Sequence, residues 1–259
     1  MSEVRDDILI RECTSVEEYD ACVRLQREGF GLPDLELSPR RHLIVARSAG
    51  GWTLGAFAGG TLVGFVLNQL AVRWNPLTGA EELSGYSHMM AVAKDYQNRG
   101  VGGRLKWAQR ARALAEGRRF IRWTWDPAQS RNAHFNLNRL GCVVRSYAVN
   151  YYGTDYSTVT GTFGERLGLD SDRLVAEWEL DAPRVEALSR GEAPEPLGEP
   201  AASVHIPANW GALVREDPRA ARAELLRVRA EFQAALASGL VCARFERDDA
   251  RPRYLFYGE

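Results

Sequence analysis

Residues 94–109 read KDYQNRGVGGRLKWAQ, and three glycines stand in this stretch where a helix is expected to begin. Gly100, Gly102 and Gly103 are followed at once by a charged helical pattern. Inside a helix, a glycine costs roughly 1 kcal/mol against alanine. Their position therefore indicates that something approaches the backbone closely there, or that the backbone bends in a way that side chains forbid.

Hydrophobic patterning on both sides of this stretch predicts an alternation of strands and helices. We expect strands at 8–13, 52–58, 61–70, 83–92, 120–126 and 142–153. Gly59-Gly60 is a two-residue hairpin signal, whereas residues 73–82 are expected to form a loop. Because hairpins and helical crossovers are combined, the predicted fold class is α/β (α+β), with a mixed central sheet flanked by helices.

Local signals predict where the helices begin and end. Ser15 and Glu18 have the spacing of a capping box, and Ser38 before Pro39 predicts a second helix with the serine as its N-cap. The helix after the glycines should end at Gly117, and a helix over 130–140 should end before a further glycine. Lys106 is expected off the apolar stripe of the first of these two helices, which comprises Val101, Leu105, Ala108 and Ala111.

The C-terminal third has a different pattern. A strand is expected at 174–180, and residues 182–202 are rich in Pro, Glu and Gly, which is typical of a linker or exposed loop. Residues 203–259 then predict a short strand, a helix capped by Asp217 and a closing hairpin. We therefore expect a core domain at 1–181, a linker at 182–202 and a C-terminal extension of strand, helix and hairpin at 203–259.

Composition and charge argue against several classes of function. The formal net charge of −1 offers no electrostatic footprint for nucleic acid. No apolar run approaches the roughly 20 residues of a membrane span, and the charged first residues do not resemble a signal peptide. The four cysteines are scattered without C-x-x-C spacing, so we expect no metal site and no disulfides. These features predict a cytoplasmic protein without nucleic-acid or membrane partners, and homo-oligomerisation is left open.

The glycine-rich turn has the chemistry of a phosphate cradle. The first N–H groups of a helix have no intrahelical partner, and the helix dipole adds about half a positive charge at that end. Arg99 and Arg104 are placed to neutralise a bound pyrophosphate. Leu105 stands where the dinucleotide pattern G-x-G-x-x-G needs a glycine, and the G-K-[ST] of nucleotide triphosphate loops is absent. A tight turn without a ligand remains the alternative.

The motif Gln97-x-x-Gly100-x-Gly102 resembles the acyl-CoA pyrophosphate loop of the GNAT N-acetyltransferase superfamily, and the predicted element order over 8–152 resembles that fold. Asn132-Ala133 followed by Leu140-Gly141 is similar to the second CoA-side motif of the superfamily. Several stretches resemble a two-part subgroup of acyltransferases associated with N-acylamino acid racemases, for which succinyl-CoA is a proposed donor: SHMMAV (87–92), WTWDP (123–127), NAHFNLNRLG (132–141), NYYG (150–153), SDR (171–173) and HIPANW (205–210).

The resemblance implies an N-acyltransferase that uses acetyl-CoA or succinyl-CoA and acylates the amine of a small molecule, with an amino acid as one option. The amine attacks the thioester carbonyl directly, and CoA leaves as a thiol. A backbone N–H near the thioester would stabilise the oxyanion, a contact worth roughly 2.7–4 kcal/mol. The CoA contacts that the resemblance implies are Met90, Ala91, Val92, Gln97, Asn98, Arg99, Gly100, Val101, Gly102, Gly103, Arg104, Asn132 and Phe135.

The acid and base are less clearly marked. Many members of the superfamily use a tyrosine on the fourth helix, and Leu137 stands at the corresponding position here. His88, on the fourth strand, is the best candidate base, because histidine titrates near neutrality; the alternative is a hydrogen-bonded core histidine. Asp126 follows as a group that orients the base or the acceptor ammonium, or else as a strand-end turn residue before Pro127.

Further polar residues have weaker assignments. Tyr147, Tyr151 and Tyr152 are expected to pack on the sheet, and Arg122, Arg131 and Arg173 are candidate carboxylate partners. Since Leu137 leaves the position of the acid without a titratable group, a second interpretation stays open, that of a non-catalytic acyl-CoA-binding module. The two interpretations differ in whether any amine releases thiol from the bound donor.

Overall fold

A computed structural model describes residues 7–30, 34–156 and 167–258, and the chain divides into two compact units, 1–121 and 122–259. The division lies within one strand, β5 (Phe120–Trp125). The predicted domain limits at 181 and 203 stay predictions. The fold class is confirmed as α/β, in which sheets are flanked by helices.

In the first unit, four strands neighbour one another in chain order, and all three pairs are antiparallel. Its elements are β1 (Ile8–Glu12), α1 (Val16–Phe30), α2 (Arg40–Ser48), β2 (Trp52–Ala58), β3 (Thr61–Asn75), β4 (Ala80–Val92) and α3 (Val101–Ala115), with the first two residues of β5. Short 3-10 turns lie at Asp34–Glu36 and Lys94–Tyr96.

The hairpins of this unit test two sequence predictions. Gly59 and Gly60 have φ angles of +53° and +86°, which confirms the predicted two-residue turn between β2 and β3. The predicted loop at 73–82 is wrong, because β3 and β4 continue as a ladder until Asn75 pairs with Ala80. The Arg73 guanidinium donates to the Glu82 carboxylate across that ladder, so charges read as loop residues form a cross-strand pair.

Of the two helix starts predicted from serines, one is confirmed and the other is wrong. The capping box is confirmed, since the Glu18 amide donates to Ser15 Oγ at 3.3 Å and the Ser15 amide donates to Glu18 Oε2 at 3.2 Å. The prediction for Ser38 is wrong, because the N-cap of α2 is Pro39 and no side chain caps the helix. The hydroxyl of Ser38 instead lies near two histidine rings.

The inward face of α3 is more polar than its sequence pattern predicts. Lys106, expected off the apolar stripe, is 3% exposed, and its Nζ donates to Ser87 Oγ at 2.7 Å. Gln109 is fully buried and donates to Asn68 Oδ1 at 3.1 Å. Ala108 and Ala111 are not buried. Hydrogen bonds to polar side chains of β3 and β4 therefore permit burial that hydrophobicity alone would forbid.

In the second unit, β7 lies between β5 and β6, and a separate antiparallel sheet has the order β8-β10-β9. The elements after β5 are α4 (Ser130–Ala133), β6 (Tyr147–Ala148), β7 (Arg173–Glu179), α5 (Pro183–Ser189), β8 (Ala202–His205), α6 (Trp210–Glu216), α7 (Pro218–Ala237), β9 (Leu240–Glu246) and β10 (Arg253–Gly258). The segment 182–202, expected to be a linker or exposed loop, includes α5, and its role as a linker stays a prediction.

Two further elements differ from the predictions. The helix expected over 130–140 starts as α4 but continues as a π-helical segment at His134–Arg139. The long strand expected over 142–153 is reduced to β6, because Asn150 and Gly153 adopt φ angles of +47° and +92° and turn the chain. The C-terminal helix and hairpin are confirmed, and the Asp217 carboxylate accepts a bond from the Ala220 amide at 3.0 Å.

All four cysteines are buried free thiols, at positions 13, 22, 142 and 242. Burial raises the pKa of the Cys242 thiol, and the pKa of Cys22 is raised by a hydrogen bond with Cys13 and by burial. Within the described ranges, the side chains of His, Cys, Asp and Glu form no group of three or more that could hold a metal ion. No helix of the same ranges is both long and apolar enough to cross a membrane.

Candidate functional site

The first turn of α3 leaves backbone amides without a side-chain cap. Gly100 is the N-cap, with φ +80°, and it has no side chain to accept a bond from the first turn. The bonds of the helix begin where the Arg104 amide donates to the Gly100 carbonyl at 3.0 Å. The N–H groups of residues 101–103 precede that ladder and lie at the positive end of the helix dipole. This arrangement suits an anion.

The loop before α3 is tied to the end of β4. Gln97 donates from Nε2 to the Val92 carbonyl at 3.1 Å, and Asn98 takes the left-handed conformation with φ +61°. The guanidinium of Arg99 lies 5.4 Å from the ring centre of Tyr96. The Gln97-x-x-Gly100-x-Gly102 motif therefore forms one structured turn between a strand and a helix, as the sequence predicts.

Two glycines of this turn have free space where a side chain would begin. A Cβ on Gly102 would lie 3.5 Å from Met90 Cε, which is an ordinary contact, and a Cβ on Gly103 would meet nothing within 4 Å. Crowding by the protein therefore does not account for these two glycines. A cradle that side chains would fill, at the start of a helix, fits a diphosphate group.

Arg104 has a structural contact in addition to its predicted role. One of its guanidinium nitrogens donates to the Ile8 carbonyl on β1. The contact connects the first turn of α3 to the edge strand of the sheet. Its role in neutralising a phosphate stays a prediction.

The end of β4 contains the backbone expected to meet the donor. Met90, Ala91 and Val92 pair with Val66, Phe65 and Gly64 on β3. The register then shifts, because Leu67 pairs with Met89 whereas Asn68 pairs with Ser87. His88 is the extra residue of this bulge, a device that interrupts a ladder and redirects a side chain.

His88 lies in a cluster of polar side chains from three elements of the first unit. Its Nε2 is 3.3 Å from Ser38 Oγ, which is 3.1 Å from His42 Nδ1. His42 Nε2 is 2.8 Å from Gln69 Nε2. Burial, and secondarily the charge of His42, lower the pKa of His88 to about 4, so His88 is neutral at pH 7. A neutral imidazole has a lone pair that can accept a proton.

In the second unit, Asp126 follows β5 and organises a turn. Its Oδ1 accepts a bond from the Ala128 amide at 2.8 Å, and Gln129 Nε2 lies 3.4 Å from its Oδ2. Burial raises the pKa of Asp126, while the positive charge of Arg173 opposes that shift. The turn role expected as the alternative is therefore present, and the carboxyl group also lines a cavity.

The cavity beside Asp126 lies wholly within the second unit. It is lined both by polar groups and by apolar side chains such as Trp210 and Val228. Arg173 also lines it and is 8% exposed, and it donates to the carbonyl of Asp172 at 2.8 Å. A carboxylate and a guanidinium in one apolar cavity suit a small ligand that carries an amine and an acid.

Other polar groups around this cavity already have protein partners. Arg229 donates twice to the Asp172 carboxylate, each time at 2.8 Å, and Tyr147 donates to it at 2.6 Å. Burial, and secondarily the bond with Asp172, raise the pKa of Tyr147 well above its ordinary value. Tyr147 therefore acts as a neutral donor at pH 7, and Arg229 compensates the buried charge of Asp172.

The remaining predicted residues have varied surroundings. Asn132 is exposed and Phe135 is half-buried, and their predicted contacts with CoA stay predictions. Leu137 is fully buried and has no titratable group. Tyr151 and Tyr152 are about half exposed and meet edge to face, with ring centres 4.8 Å apart. Among the candidate arginines, Arg122 and Arg131 are exposed.

Sequence reasoning missed the partners of His88. Ser38 was assigned to a helix cap, and His42 and Gln69 were not singled out. The structure also separates the candidates into a cluster around β4 and α3 in the first unit and a cluster around Asp126 in the second. One signal was available for the first cluster, since His42 follows Ser38 by four residues on a predicted helix and therefore lies on the same side.

Comparison with known families supports the resemblance. The model of the "Acetyltransferase (GNAT) family" matches residues 17–141, a range that includes β4, the glycine-rich turn and α3. The chain has no significant match among curated protein sequences.

Solved structures with the same fold are distant in sequence. The ribosomal-protein-S18-alanine N-acetyltransferase of Escherichia coli has a TM-score of 0.51 at 14% identity, over 68% of this chain and 95% of its own. An N-acetyltransferase of Staphylococcus aureus Mu50 has a TM-score of 0.50 at 13% identity, over 68% and 99%. A GNAT family acetyltransferase of Elizabethkingia anophelis with acetyl-CoA bound has a TM-score of 0.48 at 14% identity, over 68% and 99%.

Proposed function

Because residues 17–141 match the model of the GNAT acetyltransferase family, we propose that this protein is an acyl-CoA-dependent N-acyltransferase. It moves an acetyl or succinyl group to the amine of a small molecule by direct attack on the thioester. The observation that carries the proposal is the uncapped start of α3 at Gly100, directly after the Gln97-x-x-Gly100-x-Gly102 turn. The resemblance to the racemase-associated subgroup supports succinyl-CoA as donor and an amino acid as acceptor.

The residues of the glycine-rich turn suit the diphosphate of CoA. The amides of Val101, Gly102 and Gly103 would donate to its oxygens, while Gln97 keeps the turn in place through the Val92 carbonyl. Arg99 and Arg104 bring positive charge to the same turn. Asn132 and Phe135 are proposed as further contacts with CoA on the strength of the resemblance alone.

When bound, the acyl-CoA supplies an activated thioester carbonyl. The bulge at His88 interrupts the pairing of β4 beside Met90 and Ala91, so backbone N–H groups of this strand are the candidates for stabilising the oxyanion. His88 takes the proton that the amine loses on attack. Because an amine is mostly protonated at pH 7, an acceptor for that proton is needed.

The cavity of the second unit suits an amino acid as acceptor. Asp126 would hold the ammonium group, Arg173 would hold the carboxylate, and the apolar wall with Trp210 would accommodate a side chain. A cation beside Asp126 also offsets the unfavourable burial of this carboxylate, which is what raises its pKa. We propose Asp126 as an orienting group for the acceptor.

The test is a screen for thiol release. The protein is incubated with acetyl-CoA or succinyl-CoA and a panel of amino acids and simple amines, and free CoA thiol is measured. We expect release with one donor and a subset of acceptors, and loss of that release in Asp126→Asn. Failure of every donor and acceptor to release thiol would overturn the proposed activity.

One observation favours a second candidate, that of a non-catalytic acyl-CoA-binding module. Leu137 stands where many members of the superfamily have an acidic tyrosine, and it is fully buried. Binding of acyl-CoA, measured by calorimetry, together with no thiol release for any amine would favour this module. The same assay therefore separates the two functions.

A further inference from the structure

The polar cluster around His88 forms a continuous chain across the first unit. It runs from Gln69 on β3 to His42 on α2, then to Ser38 and finally to His88, with successive distances of 2.8, 3.1 and 3.3 Å. We propose that Gln69, His42 and Ser38 form a proton relay that carries the proton taken up by His88 to His42. This proposal rests on the proposed acyl transfer, in which His88 accepts the proton of the amine.

The position of Ser38 is fixed by a separate pair of bonds. Gln26 is fully buried, donates to the Ser38 carbonyl at 3.0 Å and accepts from its amide at 2.8 Å. These bonds fix the backbone of Ser38. Its hydroxyl does not cap α2, because no side chain forms a cap bond at the start of that helix. A hydroxyl donates one proton and accepts another, which is the property that a link in a relay needs.

The hydrogen bonds from Gln69 to His88 can be donated in either of two directions along the cluster. One of these directions leaves His88 with a free lone pair, so that it can act as a base. If Gln69 presents its carbonyl oxygen, His42 donates from Nε2 to it and accepts from Ser38 at Nδ1. Ser38 then accepts from His88 Nε2–H, which leaves the lone pair of His88 on Nδ1. Rotation of the Gln69 amide by half a turn reverses every bond of the chain.

The transfer balances in the first of these directions. An N–H bond of the acceptor ammonium breaks and its proton joins His88 Nδ1, which leaves a neutral amine whose lone pair attacks the thioester carbonyl. A second proton leaves the nitrogen as the C–S bond breaks and is taken up by the sulfur of CoA, which departs as a thiol. The proton on His88 Nε2 passes to Ser38 Oγ, whose own proton passes to His42 Nδ1. His88 is neutral again, Ser38 is again a hydroxyl, and His42 is an imidazolium that returns its proton to water.

The relay would let His88 act as a base although its burial disfavours the protonated form. A histidine with a pKa of about 4 holds a proton poorly at pH 7. Once protonated, His42 would donate from both ring nitrogens, Nδ1 to Ser38 Oγ and Nε2 to the carbonyl oxygen of Gln69. In the described part of the first unit, the titratable groups against the His88 ring are His42, at 5.4 Å between ring centres, and Tyr86, at 6.5 Å.

The first experiment reads the resting chain by ¹⁵N NMR of the histidine rings and needs no activity. Ser38→Ala is expected to shift the ring nitrogens of both His42 and His88, whereas Ser38→Thr retains a hydroxyl and should keep the wild-type pattern. Ser48→Ala is the matched control, since its hydroxyl bonds only within α2, to the Ile44 carbonyl. Unchanged ring signals in Ser38→Ala would overturn the relay.

The second experiment uses the acylation assay. Ser38→Ala and His42→Gln should lower kcat at least about tenfold, within the range of proton-transfer catalysis, with less than a twofold change in CoA affinity. Their solvent isotope effect on kcat should also differ from that of the wild type, while Ser38→Thr restores both. Normal kcat in both variants would refute the relay and leave the acyltransferase intact. An inactive wild type that still shows coupled histidine signals would refute the activity, and the relay of protons with it, but not the hydrogen-bonded chain.

Discussion

Helix α3 of the first unit and helix α7 of the second are both long, yet they begin in opposite ways. At α7, the Asp217 carboxylate accepts from the Ala220 amide and Pro218 fills the first turn. At α3, the N-cap is Gly100 in the left-handed conformation, without a side chain for the amides that follow. A side-chain cap stabilises a helix by about 1 kcal/mol. The start of α3 lacks this stabilisation, whereas the start of α7 has it.

The difference teaches how a binding function can be read from a helix start. A capped terminus has satisfied its amides internally, whereas an uncapped terminus leaves them for another partner. The free space around Gly102 and Gly103 would also allow such a partner to approach the backbone closely. We therefore propose that the start of α7 contributes stability and that the start of α3 binds a ligand, and the following predictions test this proposal.

The largest expected effect concerns CoA affinity. Gly102→Glu places a negative charge at the start of α3, where a Cβ makes only an ordinary contact with Met90. The variant should fold and bind CoA at least about a hundredfold more weakly, since it removes the space and repels the diphosphate. Ala111→Glu, on the exposed face of the same helix, is the control and should retain affinity. Calorimetric titration measures both, and unchanged affinity in Gly102→Glu would refute the loop assignment.

The second prediction concerns stabilisation by the ligand. CoA at a hundred times its Kd should raise the free energy of unfolding by about 2.7 kcal/mol. The gain should be lost in Gly102→Glu and kept in Asp217→Ala. Urea unfolding with and without CoA measures it. If CoA stabilised both variants equally, the proposed difference between the two helix starts would be contradicted.

The third prediction uses the buried titratable groups of the two units. The pKa of His88 is lowered, so between pH 6.5 and about 4 the unfolded chain binds the extra proton and stability falls as the pH falls. His88→Gln should remove that loss, which is on the order of 3 kcal/mol. The pKa of Asp126 is raised, so there the native state loses stability as the pH rises above 3.8, and Asp126→Asn should remove that loss instead.

Urea unfolding of both variants at intervals between pH 4 and pH 7 checks these opposite slopes. Each variant is compared with the wild type at the same pH, so that other titrating groups cancel. A slope that changes in the same direction for both variants would contradict the contrast between the two groups.

The smallest effect concerns the capped helix. Asp217→Ala should lower the free energy of unfolding by about 1 kcal/mol, because the Ala220 amide loses its acceptor. CoA affinity should not change. Asp217→Asn, which retains a capping oxygen, should be close to the wild type in both measurements, and a large loss of CoA affinity in Asp217→Ala would show that the two helix starts are not independent.

The fold and the glycine-rich turn could be predicted because their signals are local. Gly59-Gly60, the Ser15 and Glu18 box and the Asp217 cap each act within a few residues, and each is confirmed. The family match over 17–141 supports the motif at Gln97 for the same reason, since the turn is contiguous in sequence.

What could not be predicted depends on partners distant in sequence. Ser38 has the local signature of a cap, yet its hydroxyl faces His88, fifty positions away. Lys106 is of a type that is usually exposed, yet it is buried, and it donates a hydrogen bond to Ser87. Arg73 and Glu82 read as loop residues until their pairing across β3 and β4 is known. Hydrophobic periodicity contains no information about such side-chain pairs.

The burial of all four cysteines has a practical consequence for enzymology on this chain. Reagents that detect free sulfhydryls react with exposed thiolates, and all four thiols of this chain are buried away from such a reagent. In the folded protein, the colour developed by such a reagent would therefore come from released CoA, with little background from the polypeptide. Slow colour in a blank that contains the protein but no acyl-CoA would report exposure of the cysteines by unfolding, which gives every assay an internal measure of the integrity of the protein.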